Sequence, residues 1–368
     1  MGVHDPCTMG VERGPRSLVV WDEQLGEGSH SIVLHGEIRD GKSIRPVAVK
    51  WLRTWFALHG EQFDEADTLS RIYTRAHRLQ LPCPVPRVWG LAHVGACHQP
   101  TGWDAYNHAI EPVAFATRAC DGIVLQKLGR SVGSLFDEHG PFTMRTTLEI
   151  GILMLNALQS LHRLGYLHGS VKPDNFCFGA TKGARNTLFA VDLQRSVCLE
   201  PGRCSYEVRQ GGQRGTTGAL ARRCANTPAQ VLSMAGEVEA VAHALVMLRV
   251  GRLPWSGETP HQMFNMKGDM SLHSVVPFDP FYGGVLQRFL GEARRCTNSI
   301  APDYDRLRQI LRQQQQYCGI TGGCNMRWDW DMTRHHRCLD DGGTRERERA
   351  VHACVSSMVR DVVKAVFL

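Results

Sequence analysis

Long hydrophobic runs are missing from this 368-residue chain, which excludes the simplest membrane architecture. The best apolar stretch, Ile150 to Leu158, is broken by Gly151 and Asn156, whereas a spanning helix needs roughly 18 or more such residues. The first ten residues carry Asp5 and Pro6 in place of a basic start and an apolar core, so no secretory leader is read there. Pro6 also stands where an N-myristoylation signal needs Ser or Thr. Aromatics are scarce at 8%, but 43% of residues are hydrophobic and 21% charged. That balance excludes wholesale disorder and collagen-like sequence and leaves enough apolar side chain for two cores. Neither sign of charge dominates: 42 basic against 36 acidic residues give a net +6. Such a charge demands neither nucleic acid nor a membrane, and supports at most a preference for acidic surfaces or phosphorylated partners. The 13 cysteines are odd in number and scattered, the pattern of reduced thiols more than of a disulfide framework. A soluble intracellular protein, cytoplasmic or nuclear, is expected.

The order of elements is β-rich first and helical later. Ser31 to Ile38 and Pro46 to Leu52 are β-branched runs on either side of Arg39-Asp40-Gly41-Lys42, a hairpin signal. A helical pattern follows over Glu61 to Leu79, with Phe63, Leu69, Ile72 and Tyr73 on one side, until Pro82, Pro84 and Pro86 stop it. Residues 91–121 are poor in pattern and read as a long hairpin insertion. Gly122 to Leu128 reads as a strand, and Gly129 to Gly133 as a linker between lobes. Thr143 to Leu164 repeats Leu148, Ile152, Leu155, Leu158 and Leu161 at helical spacing. Val238 to Val250 reads as a second such helix, closed by Gly251 and Pro254. No internal repeat is seen.

Four segments carry chemistry. Leu25-Gly26-Glu27-Gly28-Ser29-His30-Ser31-Ile32-Val33 puts glycines where backbone amides can approach phosphate oxygens, although an ordinary glycine-rich turn looks the same. Lys50 ends Val47-Ala48-Val49-Lys50 on a strand, where an ammonium can meet phosphates. His168-Gly169-Ser170-Val171-Lys172-Pro173-Asp174-Asn175 follows the long helix, and Asp192 follows an apolar strand. The amide of Asn175 and the carboxylate of Asp192 are hard oxygen ligands of the kind Mg²⁺ needs. Each alone would be a capped turn or a solvated group; their order makes the set specific.

These segments resemble the eukaryotic protein kinases, and within them the casein kinase I group, most of all the tau-tubulin kinases, with vaccinia-related kinases more distant. Leu161-His162-Arg163-Leu164-Gly165-Tyr166-Leu167-His168, Arg214-Gly215-Thr216 and Gly251-Arg252-Leu253-Pro254-Trp255 extend the likeness over about residues 18–315. The resemblance implies an α+β bilobal protein-kinase-like fold with a small β-rich N-lobe, about 18–128, and a larger helical C-lobe, about 129–315. Residues 1–17 and 316–368 would flank it. It implies ATP with Mg²⁺ in the cleft between lobes, and protein partners or substrates, with no nucleic acid and no membrane. By the same likeness Gly26, Gly28, Val33 and Ala48 would line the nucleotide, and Lys50 would hold its phosphates while paired with Glu65. Leu125 would be the gatekeeper, Gln126 to Leu128 the hinge, Asn175 and Asp192 the metal ligands, and Lys172 the group that steadies the transferred phosphate.

Departures from the family pattern cluster in the catalytic loop. Gly169-Ser170 stands where the family has Arg-Asp, and a serine is no substitute for the carboxylate base. Asp192-Leu193-Gln194 replaces Asp-Phe-Gly, Ser31 replaces the third loop glycine, and Glu237 stands where an aspartate ties down the loop backbone. Thr217-Gly218-Ala219-Leu220 departs from the family's substrate-docking sequence. The leading expectation is an ATP-binding pseudokinase that acts through protein interactions. The alternatives are an active serine/threonine kinase, and a scaffold that binds no nucleotide. Cys318, Cys324, His335, His336 and Cys338, and separately Cys97, His98, His108 and Cys120, form Cys/His clusters. Their spacings fit no paired C-x-x-C zinc template and read as reduced thiols. Ala350 to Val366 reads as an amphipathic helix packed on the domain.

Overall fold

Gly41, at φ +55°, turns the chain between two strands whose ladder closes with Asp40 opposite Ser43. This hairpin is the centre of a computed structural model that describes residues 7–9, 16–27, 31–52, 61–94, 100–105, 122–208, 230–253, 255–256, 262, 280–296, 300–317 and 328–331. The elements run β1 (Cys7–Met9), β2 (Arg16–Glu27), β3 (Ser31–Asp40), β4 (Ser43–Leu52), α1 (Glu61–Arg78), β5 (Val88–Val94), β6 (Pro100–Ala105), β7 (Gly122–Gln126) and β8 (Leu128–Ser131). They continue as α2 (Val132–His139), α3 (Met144–Arg163), β9 (Tyr166–Leu167), β10 (Phe176–Gly179), β11 (Leu188–Ala190), β12 (Val197–Cys198), β13 (Ser205–Val208) and β14 (Gln230–Ser233). Three helices follow: α4 (Met234–Val250), α5 (Pro280–Arg295) and α6 (Tyr304–Tyr317). The class is α+β and protein-kinase-like, in two compact units.

The first unit comprises Met1–Arg130 and Cys177–Ser196. Its main sheet has the order β1-β2-β3-β4-β7-β5-β6 and its paired strands are antiparallel. Leu18, Val20, Ile38, Val47, Val49, Ala92 and Val124 form a core on one face. The strand period of two therefore sends Ala48 and Lys50 to the opposite face. The sequence reading put the boundary near residue 128 and gave everything beyond it to the second unit. Cys177–Ser196 instead belongs to the first, because β10 and β11 extend β8 into a three-stranded sheet and the turn after β11 bonds to α1. The insertion is a hairpin, as β5 and β6 pair from Gly90↔Ala105; residues 95–99 and 106–121 lie outside the described residues.

The second unit comprises Ser131–Phe176 and Val197–Leu368. The boundary between the two units falls after Arg130, inside Gly129 to Gly133; β8 runs to Ser131, whose Oγ accepts from the Ser134 N–H at 3.0 Å and caps α2. Gly151 marks the close approach of α3 to α4 and α6, since a methyl there would lie 3.0 Å from side-chain carbons of Leu245 and Leu311. Helix α4 begins at Met234, four residues before the sequence reading had it, capped by Ser233 Oγ on the Gly236 N–H. Its first turn is buried on every side, so no amphipathic stripe marks it. Gly251, at φ +92°, closes the helix.

One segment beyond the expected domain end packs on this unit. Asp329, 3% exposed, accepts from the Thr143 N–H at 2.7 Å, Thr143 Oγ1–H at 2.8 Å and Thr146 Oγ1–H at 2.7 Å, at the N-terminus of α3. Trp328 and Trp330 stack beside it, and Trp330 meets Phe142 edge-on. Asp329→Ala strands buried donors and is expected to cost about 2–4 kcal/mol, read as a lower denaturation midpoint at unchanged slope. Among the described residues, no helix is long and apolar enough to cross a membrane.

Candidate active site

Strand register gathers the expected nucleotide-lining residues of the first unit onto one face. Val33 lies opposite Lys50, which lies opposite Ile123; Ala48 lies opposite Leu125. Ala48 and Leu125 are each 8% exposed. Gly26 pairs with Val33, and a methyl added there would meet nothing within 4 Å. Gly28 lies outside the described residues. Gln126 donates its N–H to Arg87 O at 2.8 Å and accepts from the Arg87 N–H through its side chain, fixing the start of the expected hinge. Leu128 begins β8.

The charge centre of this face is a buried ion cluster. Lys50 Nζ donates to Glu65 Oε2 at 2.8 Å, Glu65 Oε1 at 3.0 Å and Asp192 Oδ1 at 2.9 Å. Leu69 and Ile72, 1% and 0% exposed, anchor α1 on its apolar side and so present Glu65 to Lys50. Burial alone would lower the Lys50 pKa; the charges and hydrogen bonds of Glu65 and Asp192 more than offset that and raise it above the ordinary lysine value. Glu65 Oε1 also accepts from the Leu193 N–H at 3.1 Å, tying the turn after β11 to α1. Asp192 is left-handed, at φ 62° and ψ 60°, a costly state for a residue with a side chain. Its side chain is 39% exposed while those of Lys50 and Glu65 are buried. Gln194 in place of glycine puts no side chain at a positive φ in this turn. The positive φ falls on Asp192, and Gln194 sits in a 3₁₀ turn at negative φ.

In the second unit the expected catalytic-loop segment follows β9. Gly169, at φ +76°, occupies a conformation that an arginine would adopt only under strain. Its N–H donates to Glu237 Oε1 at 2.6 Å. Glu237 therefore ties down the loop backbone as an aspartate would, and the departure noted there is repaired by geometry. Glu237 Oε2 pairs with His162 Nε2 at 2.7 Å, and Tyr304 Oη meets His162 Nδ1. Burial pushes the Glu237 pKa up, but the His162 hydrogen bond, nearby histidine charge and the Gly169 N–H together hold it below the ordinary glutamate value. With Glu237 ionised, Nε2 carries a proton; in the neutral imidazole Nδ1 accepts from Tyr304. His162 stood in the sequence as part of the family likeness without a role, and Tyr304 carried no signal of its own.

Ser170 offers no carboxylate. Its carbonyl and Oγ accept from Asn175 Nδ2 at 2.8 and 3.3 Å, and its N–H donates to His168 Nδ1 at 3.3 Å. The amide donors of Asn175 are thereby turned toward the loop, and Oδ1 is its remaining oxygen for a cation. A carboxylate, in the first unit, and an amide oxygen, in the second, are each hard donors of the type Mg²⁺ takes. Lys172 is half-buried. No cluster of three or more metal-binding side chains occurs among the described residues. Both Cys/His clusters, the terminal helix candidate, and the Arg214 to Leu220 segment lie outside them.

Comparison with known proteins agrees with the geometry at a coarse level. No family model matches. A probable serine/threonine-protein kinase of Dictyostelium discoideum is 26% identical over 215 residues, which cover 56% of this chain. The chain is kinase-like. It spans 42% of that relative's length, so the relative's activity as a whole is not transferred with the match.

Proposed function

We propose that the protein is a casein kinase I-like pseudokinase that binds ATP with Mg²⁺, transfers phosphate poorly or not at all, and acts through protein partners. The observation that carries this reading is the contrast between two sets of residues. Lys50, Glu65 and Asp192 are assembled at hydrogen-bond distance, whereas the base position holds Ser170. In this reading Lys50 binds the phosphates, oriented by Glu65. Gly26 approaches the phosphates, Val33, Ala48 and Leu125 line the rest of the nucleotide, and Asp192 and Asn175 supply the metal oxygens. The ion supplies charge neutralisation at the phosphates when bound.

Ligand-dependent stability tests nucleotide binding. At a hundredfold excess over Kd, ATP with Mg²⁺ should stabilise the full chain by about 2.7 kcal/mol, read as a rise in Tm. Asp192→Asn should remove most of the Mg²⁺-dependent part of that rise and leave the ligand-free Tm close to wild type, because this carboxylate is partly exposed. No shift at millimolar ATP would favour a scaffold without nucleotide. Lys50→Met is the poorer variant for this purpose, since it leaves Glu65 buried beside no cation.

A further inference from the structure

Lys127 and His35 are joined across the sheet face that carries Ala48 and Lys50. Lys127 Nζ lies 2.6 Å from His35 Nδ1, and both side chains are half-buried. A lysine ammonium only donates, so Nδ1 accepts, and the proton of the neutral ring sits on Nε2. The Trp21 ring packs beside this imidazole, 5.1 Å away between centroids. Strand register fixes where the bridge runs. His35 lies opposite Ala48 and Ala48 opposite Leu125, so the three form one row across β3, β4 and β7 on a single face. Gln126 lies opposite Val47, which puts Lys127 just beyond this row at the end of β7. Strands β3 and β7 flank β4 and stand two strand spacings apart, roughly 10 Å. To meet the imidazole, the extended lysine stem therefore crosses β4 at Pro46 and Ala48, whose short side chains leave room for it.

We infer that the Lys127–His35 bridge is an autoinhibitory bar across the nucleobase end of the site, which a bound nucleotide has to displace. The inference rests on the nucleotide reading above, in which Ala48 and Leu125 line the ligand. The lysine stem occupies the surface over Ala48 that a nucleobase would cover. The two ends of the face thus differ. Lys50 stands in place at the phosphate end, held by Glu65 and Asp192, whereas the nucleobase end is crossed by a charge-assisted hydrogen bond. Nucleotide binds only those molecules in which the bar is open, and its apparent affinity falls by that fraction. A ligand made of phosphates alone does not meet the bar.

The test is titration of the full chain, in Mg²⁺, with ATP and separately with inorganic tripolyphosphate. Lys127→Ala removes the bar; His35→Phe removes the acceptor and keeps a ring beside Trp21. Each variant should bind ATP about tenfold more tightly than wild type, the effect of releasing one hydrogen bond to a charged group. Tripolyphosphate affinity should not rise. On charge alone, loss of the Lys127 cation would weaken binding of an anion, so a gain in ATP affinity is specific to the bar. Unchanged or weaker ATP binding in both variants, or a gain for tripolyphosphate equal to that for ATP, would overturn the inference. ATP bound by none of the three proteins would overturn the nucleotide reading itself, and the bar with it.

Discussion

Ser170→Asp is expected to raise γ-phosphate transfer to a protein substrate about 10²–10⁴-fold over wild type, equivalent to about 2.7–5.5 kcal/mol of barrier. The expectation rests on the loop being held already. Gly169 is fixed by Glu237, and the Ser170 carbonyl by Asn175, so a carboxylate placed at 170 starts from an ordered backbone. Restoring the family's arginine at the same time would obscure the result. Gly169 is left-handed at φ +76°, and a side chain there costs about 1–2 kcal/mol. The single substitution is the informative one. A Ser170→Asp protein that binds ATP but transfers no faster than wild type would mean that more than the base is missing.

Glu237→Ala should be the most destabilising single change near the site. It removes a buried carboxylate that serves both the Gly169 N–H and His162. A loss of about 3–5 kcal/mol is expected when a partner of a buried charged pair is deleted. Glu237→Gln should be milder, since its amide oxygen can still accept one of the two hydrogen bonds. The pH dependence follows from the depressed pKa. Above its ordinary value near 4.5, Glu237 is ionised in both folded and unfolded chains, and its contribution to stability is complete. As pH falls through the lower folded-state value, the folded protein must take up a proton and that contribution is lost. Wild type and Glu237→Gln should therefore differ most in Tm near pH 7 and converge in acid. A gap that stayed constant down to pH 3 would contradict the assigned shift.

Much of the fold was legible because local patterns and tertiary demands agree. The β3–β4 hairpin is written in its β-branched runs and Gly41, and α3 in its leucine repeat. The first turn of α4 was not legible, because Met234 to Glu237 is buried all round and shows no stripe. Gly129 to Gly133 holds the unit boundary, and its small residues also serve a strand end and a helix cap, which composition did not show. At the site, motif order pointed to Lys50 and Asp192, whereas Glu65 followed only from the family resemblance. Whether Glu237 and Gln194 damage the loops was not readable. A glutamate reaching Gly169 depends on backbone placement 68 residues away in sequence. The left-handed residue of the turn after β11 falls on Asp192, a fact of φ and not of composition. Asp329 was missed because its three donors come from a helix start more than 180 residues earlier.

The central claim is a nucleotide site without phosphoryl transfer, and γ-labelled ATP tests both halves in one incubation. Purified wild-type chain with Mg²⁺ should retain labelled ATP on a filter, with no label passing to protein or released as phosphate above the level of the Asp192→Asn variant. Label transferred to protein by wild type and lost in Asp192→Asn would show a working kinase and contradict the reading of Ser170.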